Sequence, residues 1–232
     1  MKAGIKPRLI AIDGPAASGK STVALALSRR LGLMLIDSGS MYRAVALLAC
    51  EKEVPFDDGE ALVELARSVR EDLRFQLQPD DAQKIYLGDR DVSEAIRSPR
   101  VGEAVSPVSV VEGVRKEMVS LQRGLVSGKG AVVEGRDIGT VVFTDAPLKV
   151  YLDAAFEERV DRRHKELSGK GMNVTRSRVE RETEMRDVID SSRQHSPLSI
   201  APDAVVIDTT HMSVAEVVEE VSKIWHSKKR DR

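Results

Sequence analysis

The segment from Gly14 to Ser21 restricts the possible folds of this chain more than any other part of it. It reads Gly-Pro-Ala-Ala-Ser-Gly-Lys-Ser and matches the pattern G-x-x-x-x-G-K-[ST] at every fixed position. The apolar run at residues 8–13 before it predicts a buried strand, and apolar residues recur every four positions from Val23 to Leu31, as on one face of a helix. A strand, a glycine-rich turn and a helix in this order are typical of a P-loop, which holds phosphate groups.

The chemistry of such a loop assigns roles to its residues. Its glycines let consecutive backbone N–H groups turn inward toward phosphate oxygens, and the N-terminus of the following helix adds a positive field. We expect Lys20 to reach the β- and γ-phosphates of a nucleoside triphosphate and Ser21 to ligate magnesium. The residues predicted to bind the nucleotide are Gly14, Pro15, Ala16, Ala17, Ser18, Gly19, Lys20, Ser21 and Thr22.

The rest of the chain repeats the alternation of strand and helix. Apolar strands are predicted at residues 8–13, 33–36, 131–133, 149–152 and 204–207. Helical stretches separate them, so the pattern predicts an α/β fold with a five-stranded parallel sheet flanked by helices. A capping box at Ser213 starts the last helix, in which Trp225 is expected to close the core. The residues predicted to be buried on this helix are Val214, Val217, Val218, Val221 and Ile224.

One region departs from this alternation. Residues 73–78 and 84–87 alternate with a period of two around Pro79-Asp-Asp, which predicts a β-hairpin. We therefore expect residues 71–105 to form an insertion. The other expected divisions are a core at 8–70 and 106–227, a mobile lid within it at 159–175, and a frayed tail at 228–232.

Composition excludes several classes of function. The 232 residues carry 36 Lys and Arg against 37 Asp and Glu, a net charge of -1, which does not favour a protein that coats nucleic acid. No apolar run approaches the roughly 20 residues that cross a bilayer, so we expect no membrane span. A single cysteine, Cys50, excludes an internal disulfide framework, and the N-terminus lacks the order of a signal peptide. We expect a cytoplasmic protein.

Two large classes of P-loop protein are also disfavoured. GTPases need Asn-Lys-x-Asp to read guanine, yet the only asparagine, Asn173, precedes Val174. They also need Asp-x-x-Gly, and no aspartate here has a glycine three residues later. Residues 167–171, Leu-Ser-Gly-Lys-Gly, resemble a transporter ATPase signature only superficially, because the chain lacks an acidic pair at the end of an apolar strand.

Arginines lie near the predicted strand ends and on the helices that follow. The carboxyl ends of parallel strands form the ligand-binding edge of such sheets, and a guanidinium pairs with two phosphate oxygens at once. These arginines favour a phosphate as acceptor, because a hydroxyl acceptor needs a carboxylate base. The residues concerned are Arg43, Arg136, Arg159, Arg162, Arg163, Arg186 and Arg193.

Other acceptors stay open on these grounds. Asp13, Asp37 and Asp137 are possible bases, or they cap helices or hold magnesium through water. One rival is therefore a P-loop kinase of a hydroxyl substrate, such as the shikimate or dephospho-coenzyme A types. A rival of another class is a module that changes shape with ATP and uses its arginines to contact a partner.

Several segments together resemble the bacterial cytidylate kinases, within the nucleoside monophosphate kinases. The residues that carry the resemblance are the P-loop at 12–22, Leu-Ile-Asp-Ser-Gly-Ser-Met-Tyr-Arg at 35–43, Glu-Gly-Arg-Asp-Ile-Gly-Thr-Val-Val-Phe at 134–143 and Ile-Asp-Thr-Thr at 207–210. The last of these resembles the loop that flanks the donor adenine. Residues 71–105 are similar to the family's extended monophosphate-binding insert.

The resemblance implies a set of residues that bind the acceptor. Ser106, Arg115 and Asp137 match residues that read the cytosine edge, where a carboxylate accepts from the exocyclic amine and repels the uracil carbonyl. The residues that match the family's binding site for the acceptor phosphate are Ser38, Arg43, Arg136 and Arg193. Those that match its binding site for the acceptor sugar are Arg186 and Asp190.

The activity implied by the resemblance is magnesium-dependent phosphorylation of CMP and dCMP by ATP, giving CDP and dCDP, with phosphorylation of another nucleoside monophosphate as an alternative. Lys20, Arg136, Arg159 and Arg163 are the expected catalytic residues, since Arg159 and Arg163 are four apart and share a helix face. Closure of the lid would expel water. The expected partners are ATP and CMP or dCMP, with no nucleic acid and no membrane, and the expected state is a monomer.

Overall fold

A computed structural model describes residues 8–78, 83–126 and 130–230. Helices and strands alternate along most of the chain, as predicted. In chain order the elements are β1 (Leu9–Asp13), α1 (Lys20–Leu31), β2 (Met34–Asp37), α2 (Ser38–Glu51), α3 (Gly59–Asp72), β3 (Leu73–Leu77), β4 (Gln83–Leu87), β5 (Arg90–Asp91), α4 (Pro99–Ser109), α5 (Glu112–Val126), β6 (Ala131–Gly135), β7 (Leu148–Asp153), α6 (Phe156–Gly169), α7 (Arg176–Ser192), β8 (Val205–Asp208) and α8 (Val214–Arg230). A 3-10 turn at Ala95–Arg97 and a π-helical turn at Ile138–Val142 complete them.

The chain forms two compact units. One comprises the residues up to Leu35 together with those from Val126 onward, and the other runs from Ile36 to Leu125. This division differs from the expected insertion at 71–105, which lies wholly inside the second unit. The expected boundary after residue 105 falls within α4, so the compact unit takes in whole helices on both sides of the hairpin.

The first unit contains the five-stranded sheet that the sequence predicts, except for the last two residues of β2. Its strand order is β2-β6-β1-β7-β8. The pairings of β1 with β6 and β7, and of β7 with β8, are parallel, with Ile12 opposite both Glu134 and Val150. The carboxyl ends of β1 and β6 therefore lie side by side, and the P-loop and the segment after Gly135 leave the sheet at the same edge.

The core of this unit lies where α1 and α8 pack on the sheet. Trp225 is 3% exposed within a cluster that contains strand residues such as Ile10 and Val150, which confirms the prediction for this side chain. Ser213 and Glu216 form the predicted capping box. Val214 was wrongly predicted to be buried: it is 42% exposed, because it occupies the first helical position, before α8 turns its apolar face to the sheet. The helix continues through three residues of the expected tail, to Arg230.

The end of α1 shows how local sequence sets an element boundary. Gly32 adopts φ 61°, a left-handed conformation that favours glycine, and the Leu33 amide donates back to the Ser28 carbonyl at 2.9 Å. Gly32 therefore ends the helix at Leu31.

The second unit contains the predicted hairpin. Strands β3, β4 and β5 form an antiparallel sheet in which Phe75 lies opposite Ile85, while the turn residues 79–82 lie outside the described parts of the chain. Helix α2 packs against α3 and α4, and α3 also packs against β4. Asp37 and Asp58 start α2 and α3 by accepting from backbone amides three residues later.

The expected lid coincides with parts of two helices. Helix α6 runs to Gly169, so most of the glycine segment at 167–171 is helical, and α7 begins at Arg176. Buried Val160, Leu167 and Val179 form a small apolar cluster between them. Within the described ranges, no helix has the length and apolar character needed to cross a membrane.

Candidate functional site

The P-loop has the backbone conformation that its glycines permit. Gly14 has φ 150° and Gly19 has φ 91°, both in the region that favours glycine. A Cβ atom added at Gly14 would lie 2.1 Å from the Leu152 carbonyl oxygen, so β7 leaves no room for a side chain there. Ala17 also has a positive φ, 60°, although it is not glycine. The loop thus carries local backbone strain that its surroundings must offset.

Lys20 lies inside the loop. It is 5% exposed, and its Nζ donates to the Pro15 carbonyl at 2.6 Å and approaches the Ser18 hydroxyl at 3.4 Å. Burial lowers the pKa of Lys20, and repulsion from Arg136 lowers it further. An anion bound next to this ammonium group would therefore stabilise its charged form.

Ser21 is paired with an acid that the sequence analysis did not identify. Its hydroxyl donates to Oε1 of Glu134 at 2.6 Å, and Glu134, at the carboxyl end of β6, is 5% exposed. A hydroxyl and a carboxylate are hard oxygen donors of the kind that magnesium prefers, with nucleotide phosphates completing its shell. Within residues 8–78, 83–126 and 130–230, no group of three or more His, Cys, Asp or Glu side chains could hold a metal ion. The donor set therefore fits magnesium bound jointly with a nucleotide.

The carboxylate of Asp13 binds the backbone of the segment that follows β6. Its two carboxylate oxygens accept from the amides of Ile138 and Gly139 at 2.8 and 2.7 Å. Burial nevertheless raises the pKa of Asp13 to about 6, with a smaller contribution from the nearby Asp137. The carboxylate thus fixes the turn that begins directly after Asp137, the residue expected to read the base.

Arg136 is part of a largely buried cluster of ions. Its Nε donates to Oδ2 of Asp190 at 2.7 Å, and Nη1 of Arg193 lies 3.7 Å from the other oxygen of that carboxylate. Burial opposes the charge on Asp190, but Arg136, Arg193 and Arg186 outweigh it and keep the pKa of Asp190 below its usual value. Four residues that the sequence analysis assigned to the acceptor are thus brought together at one place in the first unit.

The arginines of α6 have different surroundings. Arg159 is 7% exposed; it donates to the Ala16 carbonyl at 3.2 Å and pairs with Asp187 at 2.7 Å. Arg162, three residues later, binds the 208–210 loop through Thr209, and Arg163 pairs with Glu166 on its own helix. Arg159 and Arg162 therefore share the helix face that meets the P-loop and its neighbours.

The second unit holds the other expected acceptor residues. Ser38 is 4% exposed in the first turn of α2, and Arg43 on the same helix donates to the Ile96 carbonyl at 3.1 Å. Asp37 caps this helix: its oxygens accept from the amide and the hydroxyl of Ser40. Arg97 lies 3.9 Å from Asp37. The N-terminus of α2 thus lies close to one cationic side chain, that of Arg97.

The pair expected at the base is connected within this unit. Arg115 is 4% exposed, donates to the Ser109 carbonyl at 3.2 Å and lies over the ring of Tyr42 at 5.3 Å. The Ser109 hydroxyl in turn donates to the Ser106 carbonyl at 2.9 Å. Ser109, the last residue of α4, therefore links the backbone of Ser106 on that helix to the side chain of Arg115 on α5.

Two acids of this site were missed by the sequence analysis, Glu134 and Asp187. Glu134 has a signal in the sequence: it is the first charged residue after the apolar run Ala131–Val133, at the end of a predicted strand. Asp187 lies in a charged helix with no signal that separates it from its neighbours, and only its 2.7 Å contact with Arg159 identifies it.

The chain is similar to known proteins along nearly its whole length. The family model described as cytidylate kinase matches residues 10–227. A cytidylate kinase of Carboxydothermus hydrogenoformans is 44% identical over 215 residues, which cover 93% of this chain and 96% of that protein. A bifunctional pantoate ligase/cytidylate kinase of Synechococcus sp. (strain JA-3-3Ab) is 46% identical over 224 residues, which cover 97% of this chain and 41% of that protein. The chain thus spans about two fifths of the length of that bifunctional relative.

Proposed function

The chain belongs to the cytidylate kinase family, and on that premise we propose that it transfers the γ-phosphoryl group of ATP to the phosphate of CMP or dCMP, with magnesium, giving CDP or dCDP. The reaction brings two polyanions together, so the site must neutralise negative charge and hold both phosphate chains in line.

The observation that carries this proposal is the proximity of two cations, the buried Lys20 and the partly buried Arg136. Repulsion from Arg136 contributes to the lowered pKa of Lys20, so the two charges oppose each other in the free protein. Burial also opposes the charge on Arg136, yet Asp190 and Glu134 keep its pKa above the usual value. Phosphate oxygens would attract both cations, so a cluster that holds two positive charges close together is suited to binding phosphate.

The P-loop residues and the arginines of α6 would act on the donor. Lys20 would contact the β- and γ-phosphates, and Ser21 and Glu134 would hold magnesium directly or through water. Bound magnesium would neutralise charge on those phosphates. Arg159, which donates to the Ala16 carbonyl of the P-loop, would contact the transferred group. Arg163 would do so only after exchanging its contact with Glu166.

A phosphate acceptor is favoured over a hydroxyl acceptor. A hydroxyl needs a carboxylate that can take up its proton. Both oxygens of Asp13 accept from backbone amides, and the carboxylate of Asp37 is used to cap α2. Two of the three carboxylates that could take up a proton thus have structural tasks. We assign the third, Asp137, to recognition of the cytosine ring.

Discrimination between cytosine and uracil rests on Asp137 in this proposal. The residue is 4% exposed and follows Arg136 at the end of β6. A buried carboxylate accepts a hydrogen bond from the exocyclic amine of cytosine and repels the uracil carbonyl. Ser106 and Arg115 would contact the same base edge. Ser38, Arg43, Arg136 and Arg193 would bind the acceptor phosphate, and Arg186 and Asp190 would bind its sugar.

The test is a coupled assay of ADP release with Mg-ATP and a panel of CMP, dCMP, UMP, AMP, GMP and shikimate. We expect CMP and dCMP to be phosphorylated far faster than the others, and Asp137→Ala to lose the preference for CMP over UMP. Asp145→Ala, at an exposed aspartate eight residues later, is the matched control and should keep that preference. A wild-type preference for another acceptor would contradict the cytosine assignment. Release of ADP with no acceptor added would favour a nucleotide-driven switch.

We infer further that the enzyme acts as a monomer in the cytoplasm. The lone thiol, Cys50, is 6% exposed, and a buried free cysteine suits a reducing compartment. Sedimentation of the purified protein at several concentrations tests the monomer, and a mass that doubles with concentration would contradict it.

A further inference from the structure

The side chain of Thr209 joins three elements of the first unit. It is 3% exposed and follows β8. Its hydroxyl lies 3.2 Å from the Ser18 carbonyl of the P-loop and 2.9 Å from the Asp153 carbonyl at the end of β7. The same oxygen accepts from Nη1 of Arg162 on α6 at 3.0 Å. One hydroxyl thus shares its hydrogen between two carbonyl groups and receives a hydrogen from a guanidinium.

The contact with Ser18 controls the direction of a P-loop amide. In a trans peptide the C=O of one residue and the N–H of the next point in opposite directions within one plane. Holding the Ser18 carbonyl on the Thr209 hydroxyl therefore turns the Gly19 N–H away from Thr209. Gly19 has φ 91°, and glycine has the widest choice of backbone conformations, so this peptide has little intrinsic preference for one direction.

Arg162 strengthens this anchor. It binds Thr209 twice, through Nη1 to the hydroxyl and through Nη2 to the carbonyl at 2.6 Å, while its Nε donates to Glu158 at 2.9 Å. A hydroxyl that accepts from a cation is a better donor, because the charge polarises its O–H bond. Nη1 of Arg162 also lies 4.0 Å from the position of a Cβ atom at Gly19. The helix, the loop after β8 and the P-loop are therefore connected through this one side chain.

We propose that Thr209 is a positioning residue for the phosphoryl donor: its hydroxyl, supported by Arg162, orients the Ser18–Gly19 peptide so that the Gly19 N–H is directed at the phosphates of ATP. The proposal rests on the ATP-dependent function above, but it does not depend on which acceptor the enzyme uses. Preorganised amides stabilise phosphate charge without reorganisation during the reaction, so loss of the anchor weakens binding of the phosphate chain.

The experiment compares Thr209→Val with the wild-type enzyme. Valine has nearly the shape of threonine without the hydroxyl. Titration calorimetry with ATP and, separately, with CMP should show the dissociation constant of ATP raised about tenfold, the effect of one lost hydrogen bond, and that of CMP unchanged. Thr209→Ser keeps the hydroxyl and should bind ATP as the wild type does. Thr183→Val removes another buried threonine hydroxyl, one that donates within α7, and is the matched control for both ligands.

Each other outcome is informative. Unchanged affinity of Thr209→Val for ATP, an equal loss of affinity for ATP and CMP, or failure of serine to restore ATP binding would overturn the proposal. If the valine variant does not fold, Thr209→Cys keeps a similar volume with a weak donor and is judged by the same two titrations. If wild-type enzyme proves not to phosphorylate CMP while Thr209→Val still loses ATP affinity, the acceptor assignment fails and the role of Thr209 stands.

Discussion

Ser21 at the start of α1 and Glu134 at the end of β6 form a 2.6 Å hydrogen bond between neighbouring elements of the parallel sheet. The contact follows from the register, since Ile12 lies opposite Glu134 and the P-loop begins two residues after Ile12. The carboxylate therefore lies next to the expected magnesium ligand. It orients the Ser21 oxygen and adds negative charge where a cation would bind.

We predict that Glu134→Gln raises the magnesium concentration needed for half-maximal activity. Glutamine can still accept from Ser21, but it lacks the negative charge, and changes next to a metal site commonly cost 10 to 100-fold in affinity; we expect about tenfold. The measurement is ADP release at saturating nucleotides over a magnesium series. Glu219→Gln, which removes a surface charge paired with Arg30, is the control and should leave the magnesium dependence unchanged. Equal curves for Glu134→Gln and wild type would exclude this role.

The fold could be predicted largely from local patterns. Each strand of the main sheet is a short apolar run, and the glycines at 19 and 32 flank α1. The signal is strongest in β1, β6 and β7, which are buried on both faces of the parallel sheet. Val214 shows the limit of such reasoning. Helical periodicity places it on the same apolar face as Val218 and Val221. Whether the first residue of that face is buried depends on the elements that pack against the start of the helix, which the sequence does not show.

The site could be predicted by residue type, and its internal contacts could not. The sequence pointed to arginines on α6, but spacings of three and four both place two residues on one face, and the choice depends on what faces the helix. The structure gives Arg162 a partner on the 208–210 loop and gives Arg163 a partner on its own helix. Contacts such as Arg159 with Asp187 join distant parts of the chain, and a single sequence carries no signal for them.

A side chain at Gly14 should be costly. The added methyl group of Gly14→Ala would overlap the Leu152 carbonyl, a main-chain atom that cannot move without distorting β7. We expect a loss of about 3 kcal/mol in the free energy of unfolding, measured by urea denaturation, together with weakened ATP binding. Gly124→Ala is the control, since Gly124 lies in α5 and an added Cβ would meet no heavy atom within 4 Å apart from the adjoining backbone of its own helix. It should stabilise the protein by about 0.5 kcal/mol. Equal stability of the two variants would show that the close approach at Gly14 is relieved without cost.

ATP binding should be accompanied by proton uptake at Lys20. Burial and repulsion from Arg136 lower its pKa in the free protein, so at pH 8 part of the Lys20 population is neutral. Phosphate oxygens restore the charged form, and the proton comes from the buffer. Calorimetry of ATP binding at pH 8 in two buffers of different ionisation enthalpy should show this uptake. Lys20→Arg should show none, since a guanidinium stays protonated. An observed binding enthalpy that is the same in both buffers for the wild type would contradict the assignment.

Asp13 should make stability depend on pH between about 4 and 6. Burial raises its pKa from 3.8 to about 6, so in this range the folded state binds more protons than the unfolded state. The free energy of unfolding therefore contains a contribution that is present at pH 4 and is lost as the pH rises to 6, about 3 kcal/mol in all. Asp13→Asn has no proton to lose, so its unfolding free energy minus that of the wild type should rise over the same range.

Asparagine can accept from only one of the amides of Ile138 and Gly139, so Asp13→Asn will lower stability at every pH. The test is therefore how the difference in unfolding free energy between Asp13→Asn and the wild type changes with pH. Asp145→Asn, at an exposed aspartate, should give a difference that is flat with pH. Urea denaturation of the three proteins at half-unit steps from pH 4 to 7 makes the comparison. A flat difference for Asp13→Asn as well would mean that the two amide hydrogen bonds compensate the burial of this carboxylate and keep its pKa near that of the unfolded chain.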